Sequence, residues 1–136
     1  KIYLQQVVND KIKNYKSKLI VLNIDSVFGP MDTNFNRLVP SLMLKIFTNN
    51  IKVNLNQNKR LIFVDDLNIR LNQILKKNKK FIFQDISGKY YNIKKIYKYL
   101  SQYHKKNISR KDQYINFIKS YNWYKLNIKH KYAKNI

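Results

Sequence analysis

Between residues 2 and 16, apolar side chains recur at Leu4, Val7, Val8, Ile12 and Tyr15. That spacing predicts one face of a helix. Lys18 then leads into LIVLNI at 19–24, a continuous apolar run that predicts a strand buried on both faces, as in a parallel sheet. The run gives way to a turn at Gly29-Pro30, where proline fixes φ. Residues 34–47 predict a helix with Phe35, Leu38, Leu42 and Ile46 on one side. Pro40 is tolerated only in a first turn, which sets the start near residue 39.

Next, IKVNL at 51–55 alternates and predicts a half-exposed strand, and RLIFV at 60–64 predicts a short strand. Asp65 is placed to cap a helix carrying Leu67, Leu71, Ile74 and Leu75. FIFQDI at 81–86 is another apolar strand, closed by a turn at Ser87-Gly88-Lys89. Asn92 is placed to cap a helix with Ile93, Ile96, Tyr97, Leu100 and Tyr103 on one face. Ser109 is placed to cap a last helix with Tyr114, Phe117, Ile118 and Tyr121 inward. Helices and strands alternate along the chain, so the fold class is α/β. The expected organisation is one folded unit over 1–126 and a basic tail over 127–136.

Composition changes this picture through charge. The apolar fraction of 44% supports a core, and no uninterrupted apolar run is long enough to span a bilayer. Cysteine is absent, which excludes disulfides and thiolate ligands. His104 and His130 lie among basic and polar residues without carboxylates at ligand spacing, so no metal site is expected. The net charge is +21. Such a field favours polyanions and opposes compaction by self-repulsion. Lys, Asn, Ile and Tyr share A/T-rich codons, so codon bias contributes. It does not explain why all seven acids are Asp.

The charge is uneven. Residues 1–75 hold eight Lys, three Arg and five Asp, a net +6, whereas residues 76–136 hold 16 Lys, one Arg and two Asp, a net +15. Lys76, Lys77, Lys79 and Lys80 cluster at a helix end, and Lys94, Lys95 and Lys98 fall on the outer face of the next helix. Lys105, Lys106, Arg110 and Lys111 follow, and Lys125, Lys129, Lys131 and Lys134 run to the end of the chain. Cations suit helix C-termini, but this density exceeds what capping uses. Lysine outnumbers arginine 24 to 4, so phosphate docking is favoured over base readout. Tyr90, Tyr91, Tyr99 and Tyr132 are interleaved with the lysines and are candidates to stack on unpaired bases.

Two motifs carry a family resemblance. Ser26-Val27-Phe28-Gly29-Pro30 is similar to Asn-Val-Tyr-Gly-Pro, and Lys59-Arg60-Leu61-Ile62-Phe63-Val64-Asp65-Asp66 is similar to Arg-Asp-Phe-Ile-Tyr-Val-Asp-Asp. FIFQDISGKYYNIKKIYKYL and Asn122-Trp123-Tyr124 fit the strand, turn and closing helix that follow. Together they resemble the C-terminal half of the extended short-chain dehydrogenase/reductase family, the NAD-dependent sugar-nucleotide epimerases and dehydratases. The resemblance implies the C-terminal part of a Rossmann-like fold, with a remnant of the small substrate domain. Its parallel strands would be completed elsewhere, and residues 19–24 are expected to pair with another chain or with an upstream part of the same one.

The resemblance also implies a degenerate site. The family uses a Tyr four residues before a Lys; Lys1 falls on that Lys, and its Tyr has no counterpart here. Residue 1 is Lys rather than Met, which reads as a processed or partial chain. No Gly-rich dinucleotide loop occurs in the sequence. Ser26 stands where the family's Asn helps hold the sugar nucleotide. Lys59, or Arg60 after a one-residue slip, stands where its phosphate-contacting Arg lies. The expectation is therefore a non-catalytic protein without a cofactor.

Its partners are expected to be RNA, above all rRNA, and neighbouring proteins, in a ribonucleoprotein such as an organellar (mitochondrial) ribosome. Two alternatives remain. One is the substrate-binding half of a split NAD-dependent epimerase or dehydratase. The other is an accessory subunit of a respiratory complex with the same fold.

Overall fold

The computed structural model describes Gln6 and residues 18–49, 51–106, 108–109 and 111–132, with side chains of the last helix as far as Asn127. Lys1, the predicted helix over 2–16, Arg110 and Lys134 lie outside the described residues.

Strand β1 (Leu19–Ile24) pairs in parallel with β4 (Phe81–Ile86), with Leu19 opposite Phe81 and Ile24 opposite Ile86. A second sheet has the order β2 (Ser26–Phe28), β3 (Asn58–Phe63), β5 (Lys89–Asn92). Here β2 runs parallel to β3 and β5 antiparallel to it. Only Asp25 separates β1 from β2, and only Ser87 and Gly88 separate β4 from β5. The paired strands β1 and β4 therefore part at one level. Their continuations lie on opposite edges of β3, which fills the fork.

Two interactions hold the fork. The Asp25 N–H donates to the Ile86 carbonyl at 3.2 Å, and the Gly88 N–H donates to Asp25 Oδ2 at 2.9 Å. Gly88 lies against the backbone of Leu61 and Ile62.

Helix α1 (Leu38–Thr48) carries Pro40 in its first turn, where no intrahelical N–H is missed. Asn49 ends it in the left-handed region, its N–H returning to Lys45 O. Helix α2 (Val64–Leu75) follows β3 without a linker. Phe63 therefore occupies its N-cap, and Asp65 and Asp66 lie in the first turn. Asp65 is thus not the cap that its position suggested; both acids instead favour the positive end of the helix dipole. Helix α3 (Ile93–Lys106) is capped by Asn92, whose Oδ1 accepts the Lys95 N–H at 2.9 Å. A 3₁₀ turn at Asp112–Tyr114 precedes α4 (Ile115–Tyr132). Ser109 does not cap this helix; its carbonyl accepts the Tyr99 hydroxyl at 3.1 Å. The helix carries through the first residues of the expected tail.

Two cores result. The larger joins β2, β3, α1, α3 and α4 through Phe28, Leu42, Met43, Leu61, Leu100 and Phe117. The smaller joins Ile82 and Ile86 of β4 to Ile62, Leu67 and Ile74, with Ile20 and Leu22 of β1 against it. Alternation places Leu19, Val21, Phe81 and Phe83 on the opposite face of the β1–β4 pair. Phe83 is 39% exposed there, and Leu19 and Val21 are only half-buried, so β1 is not buried on both faces as its apolar run predicted. The expected strand at 51–55 is also absent. Ile51, Val53 and Leu55 alternate inward against the larger core, but no neighbouring strand bonds to them.

Candidate functional site

The Gly-Pro turn leaves the end of β2 tightly packed. A β-carbon on Gly29 would approach Val64 Cγ1 to 2.6 Å. Met31, next in the turn, has φ 67° and is 75% exposed. Asp32 then meets three partners: Arg37 Nη1 lies 3.5 Å from Asp32 Oδ2, the Asn34 N–H donates to Asp32 Oδ1 at 3.2 Å, and the Tyr124 hydroxyl donates to the Asp32 carbonyl. Burial, with Asp32 nearby, pushes the Tyr124 phenol well above its ordinary value, so it serves as a neutral donor.

Two cavities flank this turn and share Val27 and Arg37. One, of about 370 Å³, is lined by Ser26, Leu38, Val39, Pro40 and Leu61 as well. The other, of about 330 Å³, lies along Phe28 to Asp32 and Val64. Ser26 is thus at a cavity wall. Alternation places Lys59 on the face of β3 that bears Leu61, and Arg60 on the other. The ladder fixes this, with Lys59 opposite Tyr91 and Arg60 opposite Tyr90. Of the two basic candidates only Lys59 shares the cavity's face. Arg37 and Asp32 were not singled out in the sequence, where nothing distinguishes them from ordinary loop charges.

The lysines form two further surfaces. Lys76, Lys77, Lys79 and Lys80 are exposed where α2 ends and β4 begins. Lys18 joins them across the pair, its Nζ donating to Leu75 O at 2.8 Å and to Lys77 O at 2.5 Å. This foot lies at the amino ends of β1 and β4. In open α/β sheets, ligands bind at the carboxyl ends.

The second surface is α3. At about 100° per residue, Lys94, Lys95, Lys98, Lys105 and Lys106 occupy about a third of its circumference, and all five are exposed. Lys111 and Lys125 are exposed beyond it. Lys129 and Lys131 lie on the helical backbone of α4, where side chains are not described.

Among the described residues, carboxylates pair with Arg37 and with Lys119, which reaches Asp65 at 3.8 Å. The lysines of the foot and of α3 have no such partner among them. The tyrosines separate clearly. Tyr99 is 5% exposed and Tyr91 meets Phe117 edge-on at 5.0 Å, whereas Tyr90 is 68% exposed. His104 Nδ1 lies 2.8 Å from the Tyr121 hydroxyl. Among the described residues no three His, Cys, Asp or Glu side chains converge as a metal would require, and no helix is long and apolar enough to cross a membrane.

No protein-family model and no curated protein matches the sequence. Solved structures do match the fold. The UDP-glucose 4-epimerase of Thermotoga maritima, solved with UDP-glucose, superposes with a TM-score of 0.69 at 13% identity, over 94% of this chain and 52% of that one. The UDP-N-acetylglucosamine 4-epimerase of Methanobrevibacter ruminantium, in complex with UDP-N-acetylmuramic acid, gives 0.67 at 11%, over 89% and 50%. The enzyme WbmG of Bordetella bronchiseptica, in complex with NAD, gives 0.63 at 9%, over 88% and 47%. The chain spans about half the length of these structures. At such identity the likeness speaks for the backbone alone: this chain carries part of the Rossmann-like fold of the NAD-dependent sugar-nucleotide epimerases and dehydratases.

Proposed function

We propose that this chain is a non-catalytic structural subunit that docks on RNA phosphates within a ribonucleoprotein. An organellar ribosome, such as that of the mitochondrion, is the assembly its A/T-biased composition favours. The observation that carries this reading is the unpaired lysine surface. Lys76, Lys77, Lys79 and Lys80 are exposed at the foot, and five more lysines line one arc of α3, without carboxylate partners among the described residues. Like charges held this close raise the energy of the free chain, and a polyanion relieves them. Each neutralised phosphate releases condensed counterions, which gives affinity with little sequence preference. The foot's place at the amino ends of β1 and β4 argues against a mononucleotide site.

The test is a titration with structured RNA over a range of salt. The logarithm of the association constant should fall steeply and linearly with the logarithm of salt concentration. A flat response, or none at low salt, overturns the reading.

A second reading has one observation in its favour. Ser26, Arg37 and Leu61 line a cavity at the start of β2, just past the carboxyl end of β1, which suits the substrate-binding half of a split epimerase or dehydratase. Calorimetry with a UDP-sugar, in the presence of a cofactor-binding half, tests it. Binding that is insensitive to the foot lysines supports it, and no heat of binding removes it.

A further inference from the structure

The sheet of β2, β3 and β5 has two unlike faces. Lys59, Leu61, Phe63 and Tyr91 share the face packed by the larger core. The other face carries Asn58, Arg60, Ile62, Tyr90 and Asn92. Ile62 is covered by the smaller core; the other four are exposed. Arg60 lies directly opposite Tyr90, and Asn92 Nδ2 donates to Asn58 Oδ1 at 2.9 Å in the next row. Tyr90 is 68% exposed, and its ring meets no other ring among the described residues.

Positive charge borders this face. Arg70 Nη1 donates to the Ser87 carbonyl at 2.7 Å, just before exposed Lys89. Lys94 and Lys95 follow β5 in the first turn of α3, a helix packed on the sheet's other face. Asp25, the carboxylate at the near end of β5, is engaged by the Gly88 N–H.

We infer that the Arg60–Tyr90 pair is a stacking platform for an unpaired base of single-stranded RNA, with Arg60 on the flanking phosphate. This rests on the RNA reading above and adds a specific contact to it. A flat ring open on a strand surface offers a π-face that any base can cover. An arginine at the paired position of the neighbouring strand supplies both a phosphate partner and a planar edge. The arrangement favours nucleic acid over an acidic peptide, because an acidic peptide has no use for an open ring among cations.

Tyr90→Ala and Tyr90→Phe in the full chain separate the claims. The probes are a fluorescein-labelled oligouridine and a duplex RNA of the same length. Tyr90→Ala should weaken oligouridine binding by roughly 5- to 100-fold. Tyr90→Phe should keep it within about threefold, since the ring persists. Neither change should alter duplex binding, and melting temperature reports that the fold is kept. If Tyr90→Ala binds oligouridine as the parent does, while the parent keeps its salt dependence, the platform is wrong and phosphate docking stands. If the parent binds neither RNA at low salt, both proposals fall.

Discussion

Gly88 lies directly on the peptide that joins Leu61 to Ile62: a β-carbon there would come within 2.3 Å of the Leu61 carbonyl carbon. This contact closes the fork in which β3 sits. The obstacle is backbone on both sides, so no rotamer change can relieve it. Gly88→Ala should therefore destabilise the fold by about 3 kcal/mol, the upper end of ordinary overpacking. Ser87→Ala, one residue away and exposed, should cost under about 0.5 kcal/mol. Urea denaturation of both variants checks the contrast, and equal midpoints would show that the fork tolerates a wider gap.

Tyr124, Tyr121 and Tyr91 all have phenols pushed above the ordinary 10.0, chiefly by burial. Asp32 adds to this at Tyr124, Tyr103 at Tyr121 and Asp66 at Tyr91. The unfolded chain loses these protons near pH 10 while the folded chain keeps them. The unfolded state then binds fewer protons, so stability is complete below pH 10 and declines above it. Deprotonating lysines relieve self-repulsion over the same range, which obscures the absolute slope. Comparison with Tyr124→Phe isolates the phenol. At neutral pH that variant should lose about 1 kcal/mol with its bond to the Asp32 carbonyl. Above pH 10 the gap to the parent should narrow. Denaturation at pH 7 and pH 11 measures both, and a gap that widens with pH reverses the sign of the argument.

The parts of the fold legible in the sequence are those with a strong local period. LIVLNI and FIFQDI are largely apolar runs and became β1 and β4; Ile93, Ile96 and Leu100 repeat at helical spacing and are buried in α3. The strands β2 and β5 escaped because they continue β1 and β4 after one or two residues, and the change of partner lies in Asp25 and Gly88 rather than in any pattern. Ile51, Val53 and Leu55 misled for the opposite reason: alternation reports which side is buried and cannot report whether a ladder partner exists. The same holds at the site. That the lysines would be exposed follows from their charge. That Tyr90 is open while Tyr91 is packed depends on the β3–β5 register, a long-range pairing invisible in a local window.

The foot gives the salt dependence a countable origin. Lys76, Lys77, Lys79 and Lys80 are exposed and take no part in either core. If all four dock on phosphates of single-stranded RNA, changing them together to Gln should lower the salt slope by roughly 3. Stability should change little, because the helix-dipole contribution of Lys76 and Lys77, about 0.3–1 kcal/mol each at most, is offset by the relief of self-repulsion. Lys59→Gln, on the cavity's face, should leave the slope unchanged. A titration in which the fourfold variant keeps the parent's slope would move the docking surface away from the foot.

The free edge of β1 makes a prediction at single-amide level. Leu19 N–H donates to Lys80 O and Asp25 N–H to Ile86 O. In a parallel ladder, alternate residues face the same neighbour, so Val21 and Asn23 also point to β4. Ile20, Leu22 and Ile24 then direct their N–H groups to the opposite edge, where no strand lies among the described residues. Their side chains are apolar, which is the combination that invites another strand. In the isolated chain, hydrogen exchange should be slow at Val21 and Asn23 and fast at Ile20, Leu22 and Ile24. Within its native assembly all five should become slow, if a neighbouring polypeptide completes the sheet there. Uniform protection in the isolated chain would mean that this edge is already covered, and uniform fast exchange in the assembly would leave the strand without a partner.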